Sequence, residues 1–353
     1  LPAQAASTRI AIFRRKTDCF RSFLGLISGP TATSIGGLLL RRKMKARWRN
    51  ILAMLALVAG LAASSTGAGA ATGPPAQKLP SALLMFPYVD SGGGRETRIE
   101  LVNLSGYYLD LQCFWVNSES ELCTEIGFFL ALTPYQPMSW LATEGVYNEL
   151  NATAAPPFFG LGELKCAVVA PQPQVELYNT IQGRAIVYDT DGQTVSYSAV
   201  GFQRFSDGEF DGLLRLNGND YAQCPDRLLF DVLTDTPGSF SELILVPCTQ
   251  DLLLQIPTQL NVQFLITNEF EQTFSTSYNI KCFSRKTLTA VSDSLWRATA
   301  GTDTAQIRVR GVREPVIGLV VDRVPFRSLS GTAGNEPALE GGRSATVTFP
   351  QPH

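Results

Sequence analysis

Leu83-Leu84-Met85-Phe86-Pro87 is answered in the second half of the chain by Leu243-Ile244-Leu245-Val246-Pro247, and this pairing sets the expected fold. Working outward, Leu101-Val102-Asn103 answers to Ile266-Thr267-Asn268, Cys113-Phe114 to Cys282-Phe283, and Trp140-Leu141-Ala142-Thr143 to Trp296-Arg297-Ala298-Thr299. Ile186-Val187-Tyr188-Asp189 resembles Leu319-Val320-Val321-Asp322, within longer segments that begin at Gly183 and Gly318. The order is kept throughout, as an internal repeat requires. It gives Trp140 and Trp296 matching packing roles, with extra residues in the first copy around Cys123.

Between these matches the pattern is that of strands. Arg98-Ile99-Glu100-Leu101 and Gln306-Ile307-Arg308-Val309-Arg310 alternate polar with apolar, the period of a strand with one buried face. Turn residues separate the runs at Ser91-Gly92-Gly93-Gly94, Asp189-Thr190-Asp191-Gly192, Ser206-Asp207-Gly208 and Asn217-Gly218-Asn219-Asp220. No stretch beyond Ala71 sustains a helical period. The expected fold is all-β: two tandem, duplicated antiparallel β-sandwiches of immunoglobulin-like type. The first takes residues 80–205 and the second 226–353, joined by a Gly-, Asn- and Asp-rich connection over 206–225. One larger sandwich, with 206–225 as a long loop, is the competing arrangement.

Upstream, residues 44–70 read as a secretory signal peptide. Lys45, Arg47 and Arg49 form its basic start, Ile51 to Ala63 its apolar stretch, and Ala68-Gly69-Ala70 the small residues before cleavage at Ala71. A signal carries its charged end first, so residues 1–43 read as spurious upstream translation. The run from Phe23 to Leu40 is interrupted by Gly29-Pro30 and falls short of the roughly 20 apolar residues of a span. Residues 71–79 are then a linker, and the mature chain is expected to be secreted or periplasmic, with no membrane span. No cysteine stands at the cleavage point, which argues against a lipoprotein. Residues 71–353 keep 18 of the 29 basic residues and 30 of the 31 acidic ones, a formal charge of −12. No Lys and Arg cluster remains to replace the counterions of a nucleic acid.

Of seven cysteines, only Cys19 precedes Ala71, leaving Cys113, Cys123, Cys166, Cys224, Cys248 and Cys282. An even set after a secretory signal reads as disulfides, and six cysteines allow about 15 pairings. The turn Asn117-Ser118-Glu119-Ser120 lies midway between Cys113 and Cys123 and suggests that pair. Thr236-Pro237-Gly238 does the same for Cys224 and Cys248, which leaves Cys166 with Cys282. The wide spacings do not suit zinc.

The only histidine is the terminal His353, so a histidine-activated nucleophile is not expected. The acidic residues Glu163, Glu176, Asp189, Asp207, Glu209 and Asp211 show no spacing that pairs them as acid and base, and no catalytic residue is assigned. Asp189-Thr190-Asp191-Gly192 sets alternate oxygens before a glycine and makes Asp189 and Asp191 calcium candidates. A hairpin turn explains the same residues. Asp207, Glu209 and Asp211 are a second oxygen-rich group, and no other cofactor is called for. Pro156-Pro157-Phe158-Phe159-Gly160 is the candidate binding loop, where the rings of Phe158 and Phe159 either face solvent or fold back over the core.

The segments from Phe158 to Cys166, ending Gly162-Glu163-Leu164-Lys165-Cys166, and from Asn268 to Ser277 resemble stretches of uncharacterised secreted β-rich proteins of Gram-negative bacteria. The resemblance covers most of the mature chain and implies secretion, with no activity attached. The chain is therefore expected to be a non-enzymatic binding or structural protein of the bacterial cell envelope, with an extracellular or envelope protein or a glycan as partner. The alternative is a carbohydrate-active enzyme or an accessory carbohydrate-binding module that uses carboxylates and exposed aromatic rings.

Overall fold

The computed structural model describes residues 76–350 apart from residue 78 and the segments 120–122, 149–152, 170–177, 191, 208–209 and 325–330. The expected leader over 1–43 and 44–70 lies outside the described residues, as do Glu176, Asp191, Glu209 and His353. Among the described residues, helix is confined to two single turns, Leu288–Val291 and Arg297–Ala300, around a 3₁₀ turn at Asp293–Leu295.

Among the described residues, five sheets of three or more strands carry the fold. The largest runs β1 (Ala76–Gln77), β12 (Val200–Phe202), β2 (Leu83–Asp90), β9 (Leu161–Val168), β4 (Leu109–Asn117), β5 (Glu125–Leu132). Beside it lies a four-stranded sheet in the order β11 (Thr194–Ser198), β10 (Ile181–Tyr188), β3 (Glu96–Asn103), β6 (Pro137–Leu141). A second four-stranded sheet runs β19 (Ser284–Thr287), β15 (Phe240–Pro247), β21 (Val316–Val324), β22 (Gly331–Asn335). The five-stranded sheet is β18 (Thr273–Lys281), β17 (Gln259–Asn268), β20 (Thr304–Gly311), β14 (Arg227–Leu233), β23 (Ala338–Glu340). The smallest joins β13 (Leu213–Leu216), β24 (Ala345–Thr348) and β16 (Gln250–Asp251), and a hairpin pairs β7 (Val146–Asn148) with β8 (Thr153–Ala155).

The all-β expectation holds, but the sheets are arranged as a five-bladed β-propeller and not as two tandem immunoglobulin-like sandwiches. The reason lies in the two stretches quoted first. A sheet of an isolated sandwich buries one face, so its strands alternate. Here β2 buries all eight residues and β15 seven of eight. Strand β2 packs against β3 and β10 on one side and β15 and β21 on the other. Within β15, Ile244 and Val246 join the core that contains β2, while Leu243 and Leu245 join the core under the five-stranded sheet. Unbroken apolar runs thus mark strands covered on both faces, as blades stacked face to face require.

The repeat does not mark equivalent positions throughout. Strand β10, which holds Ile186-Val187-Tyr188, pairs with β3, whereas β21, which holds Leu319-Val320-Val321, pairs with β15. Trp140 is buried in β6, but Trp296 is about a third exposed and caps a helical turn, so their packing roles differ.

The Asn117 amide does bond to the Thr124 carbonyl between β4 and β5, yet Cys113 is not brought to Cys123. Cys113 lies inside β4, directly opposite Phe128 on one side and Cys166 on the other. It is bridged to Cys166, with Cα atoms 4.1 Å apart. Cys123 precedes β5 and is bridged to Cys282, across 159 residues. The expected Cys113–Cys123 and Cys166–Cys282 pairs are therefore replaced, and Cys224–Cys248 is present. Three bridges point to an oxidising, extracytoplasmic environment. Among the described residues no helix is long and apolar enough to cross a membrane.

Candidate functional site

A cavity of about 620 Å³ crosses the sheet of β6, β3, β10 and β11. Alternation in β3 sends Ile99 and Leu101 into the core and leaves Arg98, Glu100 and Val102 on the other face. Strand register then builds a polar row, because Glu100 stands opposite Ser139 of β6 and Arg184 of β10, and Arg184 opposite Ser198 of β11. Arg184 Nε donates to Glu100 Oε2 at 2.5 Å, Arg98 Nε lies 3.3 Å from Glu100 Oε1, and Arg98 Nη2 donates to Ser139 Oγ at 3.1 Å. Hydrogen bonding and charge from Glu100 push the Arg184 guanidinium further toward its protonated form. Two arginines share one carboxylate, so their N–H donors outnumber its acceptors.

Apart from Gln182, the rest of the lining is aliphatic: Leu79, Leu84, Leu101, Val102, Pro137 and Met138, with Gly183 and Ala199. A Cβ at Gly183 would lie 2.6 Å from Phe86 Cζ and 2.8 Å from Leu101 Cδ2, so glycine lets the two sheets approach beneath the groove. The arrangement offers an apolar floor, a rim with one excess positive charge, one carboxylate and no aromatic platform.

A second cavity, about 550 Å³, is lined by Asp231, Glu269 and Asp322 with Thr267, Asn268, Thr304 and Gln306. Burial raises Asp322, against the hydrogen bond from Ser241 and with a push from Asp235. Gln306 Nε2 donates to Asp231 and the Thr304 hydroxyl to Glu269. Carboxylates gather here, but no aromatic ring lines this cavity either.

Of the calcium candidates, Asp189 is paired with arginines. Asp189 does close the β10–β11 hairpin, and its carboxylate belongs to a ring of six charges. Arg95 Nε donates to Asp189 Oδ1 at 3.2 Å and Arg95 Nη1 to Asp90 Oδ2 at 3.1 Å. Arg285 Nη1 donates to Asp90 Oδ2 at 2.7 Å, while its Nε and Nη2 reach the two oxygens of Glu242 at 2.8 and 2.9 Å. Arg323 closes the circuit, donating to Glu242 Oε2 at 2.8 Å and to Asp189 Oδ2. Burial works to raise Asp189, but the Thr190 amide and then Arg323 and Arg95 outweigh it and hold the carboxyl below its usual range. Glu242 is lowered against burial by Arg285 and Arg323. A cation at Asp189 would have to displace two arginines.

Asp207 is exposed, and Asp211 accepts from Arg215 Nη2 at 2.7 Å and from the Leu213 amide. Among the described residues no group of three or more His, Cys, Asp and Glu is placed to hold a metal. Phe158 folds back and stacks on Trp115 at 5.1 Å between ring centres, whereas Phe159 is exposed. The groove residues Arg98, Glu100, Ser139 and Arg184 were not singled out as a site by sequence. The alternation Arg98-Ile99-Glu100-Leu101 signals their common face, but only the pairing with β6 and β10 brings them together. Comparison with protein-family models, with curated proteins and with solved structures finds no match to this chain.

Proposed function

We propose that the protein is a non-enzymatic binding protein of the bacterial cell envelope, secreted or periplasmic, whose groove over β3 and β10 takes a small amphipathic anion. The observation that carries this reading is the groove's composition: an aliphatic floor beneath two arginines that share a single glutamate. Pockets for small molecules are mostly apolar, with a few polar groups that fix orientation. Glycoside cleavage calls for two carboxylates flanking one bond, and this groove supplies one. Anilinonaphthalene sulfonate, an anion whose rings fluoresce out of water, serves as the probe. Saturable binding to the folded protein should be lost in Ser139→Trp and Arg184→Glu, both at exposed positions, with melting unchanged. Equal binding by all three proteins would reject the groove as the site.

The acid-lined cavity is the observation that favours the carbohydrate-active alternative. A glycan array separates the two readings, since glycan binding abolished by Asp322→Asn and untouched by Ser139→Trp would favour that alternative.

A further inference from the structure

A lysine, two glutamates and a glutamine converge in the core, away from both cavities. Glu163 and Lys165 are two residues apart on β9, so they project from the same face of the sheet. Glu125 opens β5 in the same cross-strand row as Glu163, with Val116 between them. Gln250 arrives from β16, in the other half of the chain. Lys165 and Glu163 have no exposed surface, and Gln250 is 5% exposed. Lys165 Nζ donates to Glu163 Oε1 at 2.5 Å and to Gln250 Oε1, and Gln250 Nε2 donates to Glu125 Oε1 at 3.2 Å. The second oxygens of Glu163 and Glu125 are buried with no partner among the described residues.

As a fold device this cluster is expensive. Lysine and glutamate are almost never fully buried, and well-packed apolar residues commonly serve stability as well or better than a buried ion pair. As chemistry it is complete, with an amine against an amide carbonyl, a carboxylate beside the amine and another beside the amide nitrogen. We propose that Lys165 and Gln250 are joined by an intramolecular isopeptide bond, formed within the folded chain with Glu163 and Glu125 moving the protons.

The step balances. Glu163 takes one proton from the ammonium, and the freed lone pair attacks Cδ of Gln250, a shift of Nζ from the carbonyl oxygen to the carbon beside it. The Nζ–Cδ bond forms and the Cδ–Nε2 bond breaks. A second proton leaves with Nε2 as ammonia by way of Glu125, and the third stays on the new amide. Nothing is oxidised or reduced. Burial supports the roles: it raises Glu163 against the pull of Lys165, and it pushes Glu125 up to about 7, so both carboxyls can hold protons where an aqueous carboxylate would not. The bond would tie β9 to β16 and so link the two halves of the chain.

Mass spectrometry of the full chain, expressed in an oxidising compartment and then reduced and alkylated, tests this. The expected protein is lighter than its sequence by one ammonia, and its tryptic digest contains a branched peptide joining Lys165 to Gln250. Lys165→Arg restores the full mass and abolishes the branch, and Glu163→Gln leaves the ammonia in place. Gln250→Glu loses water instead and converges on the wild-type mass, a control that does not require removing the amine. Separate linear peptides carrying unmodified Lys165 and Gln250 in the wild-type protein would overturn the proposal. A full yield of branched peptide in Glu163→Gln would overturn the role given to Glu163.

Discussion

Glu125 keeps a proton that an exposed carboxylate would release. Burial raises it from 4.5 to about 7, against the pull of Lys165 and the hydrogen bond from Gln250. The native state therefore binds a proton that the unfolded chain has already lost between those two values, and stability must fall as pH rises through that window. Glu163, Asp235 and Asp322, all raised chiefly by burial, act in the same direction. Glu125→Gln should flatten the decline in melting temperature between pH 5 and 8, and an unchanged slope would show that the carboxyl is solvated. Asp189 and Glu242, both lowered, contribute stability that is present above their unfolded values and lost as pH drops through their native ones. Little of this was legible in the sequence. Spacing puts Glu163 and Lys165 on one face, but charged residues in a strand read as solvated, and the Gln250 that accepts from Lys165 lies far along the chain on β16.

Strands and turns were the legible part. Alternation locates β3 and β20, Gly92 to Gly94 separates β2 from β3, and Asp189 to Gly192 spans the β10–β11 hairpin. Leu83 to Phe86 and Leu243 to Val246 carried more than a likeness to each other, since an apolar run without alternation states that both faces are covered. Pairing was the illegible part. Cys113 finds Cys166 because β4 and β9 are neighbours in the sheet, and nothing local announces that adjacency. The six-charge ring is likewise assembled from strand ends: Asp90, Arg95 and Asp189 come from the first half, Glu242, Arg285 and Arg323 from the second. Its side chains other than Arg95 are at most 14% exposed, so removing one member strands a buried charge. Arg323→Met should cost about 3 kcal/mol in urea unfolding, and the double variant with Glu242→Gln should cost less than the sum of the single changes. Additive losses would show that the ring does not act as a unit.

At the scale of the molecule, the two halves of the chain are tied by the ring, by the Cys123–Cys282 bridge and by the contact of β2 with β15 and β21. Residues 226–353 expressed alone would leave Ile244, Val246, Ile317, Leu319 and Val321 without the core they join. That fragment should lack a cooperative thermal transition and aggregate. A monomeric fragment that melts cooperatively would instead restore two independent domains. The doubly covered strands also constrain time. A chain that emerges N-terminus first completes the hydrogen bonds of β2, β9 and β4 early, but one face of that sheet must wait for β15 and β21, and β13 for β24 at the far end. Such late, non-local closure slows folding and leaves apolar strand surface open meanwhile. The protein's most vulnerable interval is therefore the delay before its last strands arrive, when Leu243-Ile244-Leu245-Val246 is a ready template for association with other chains.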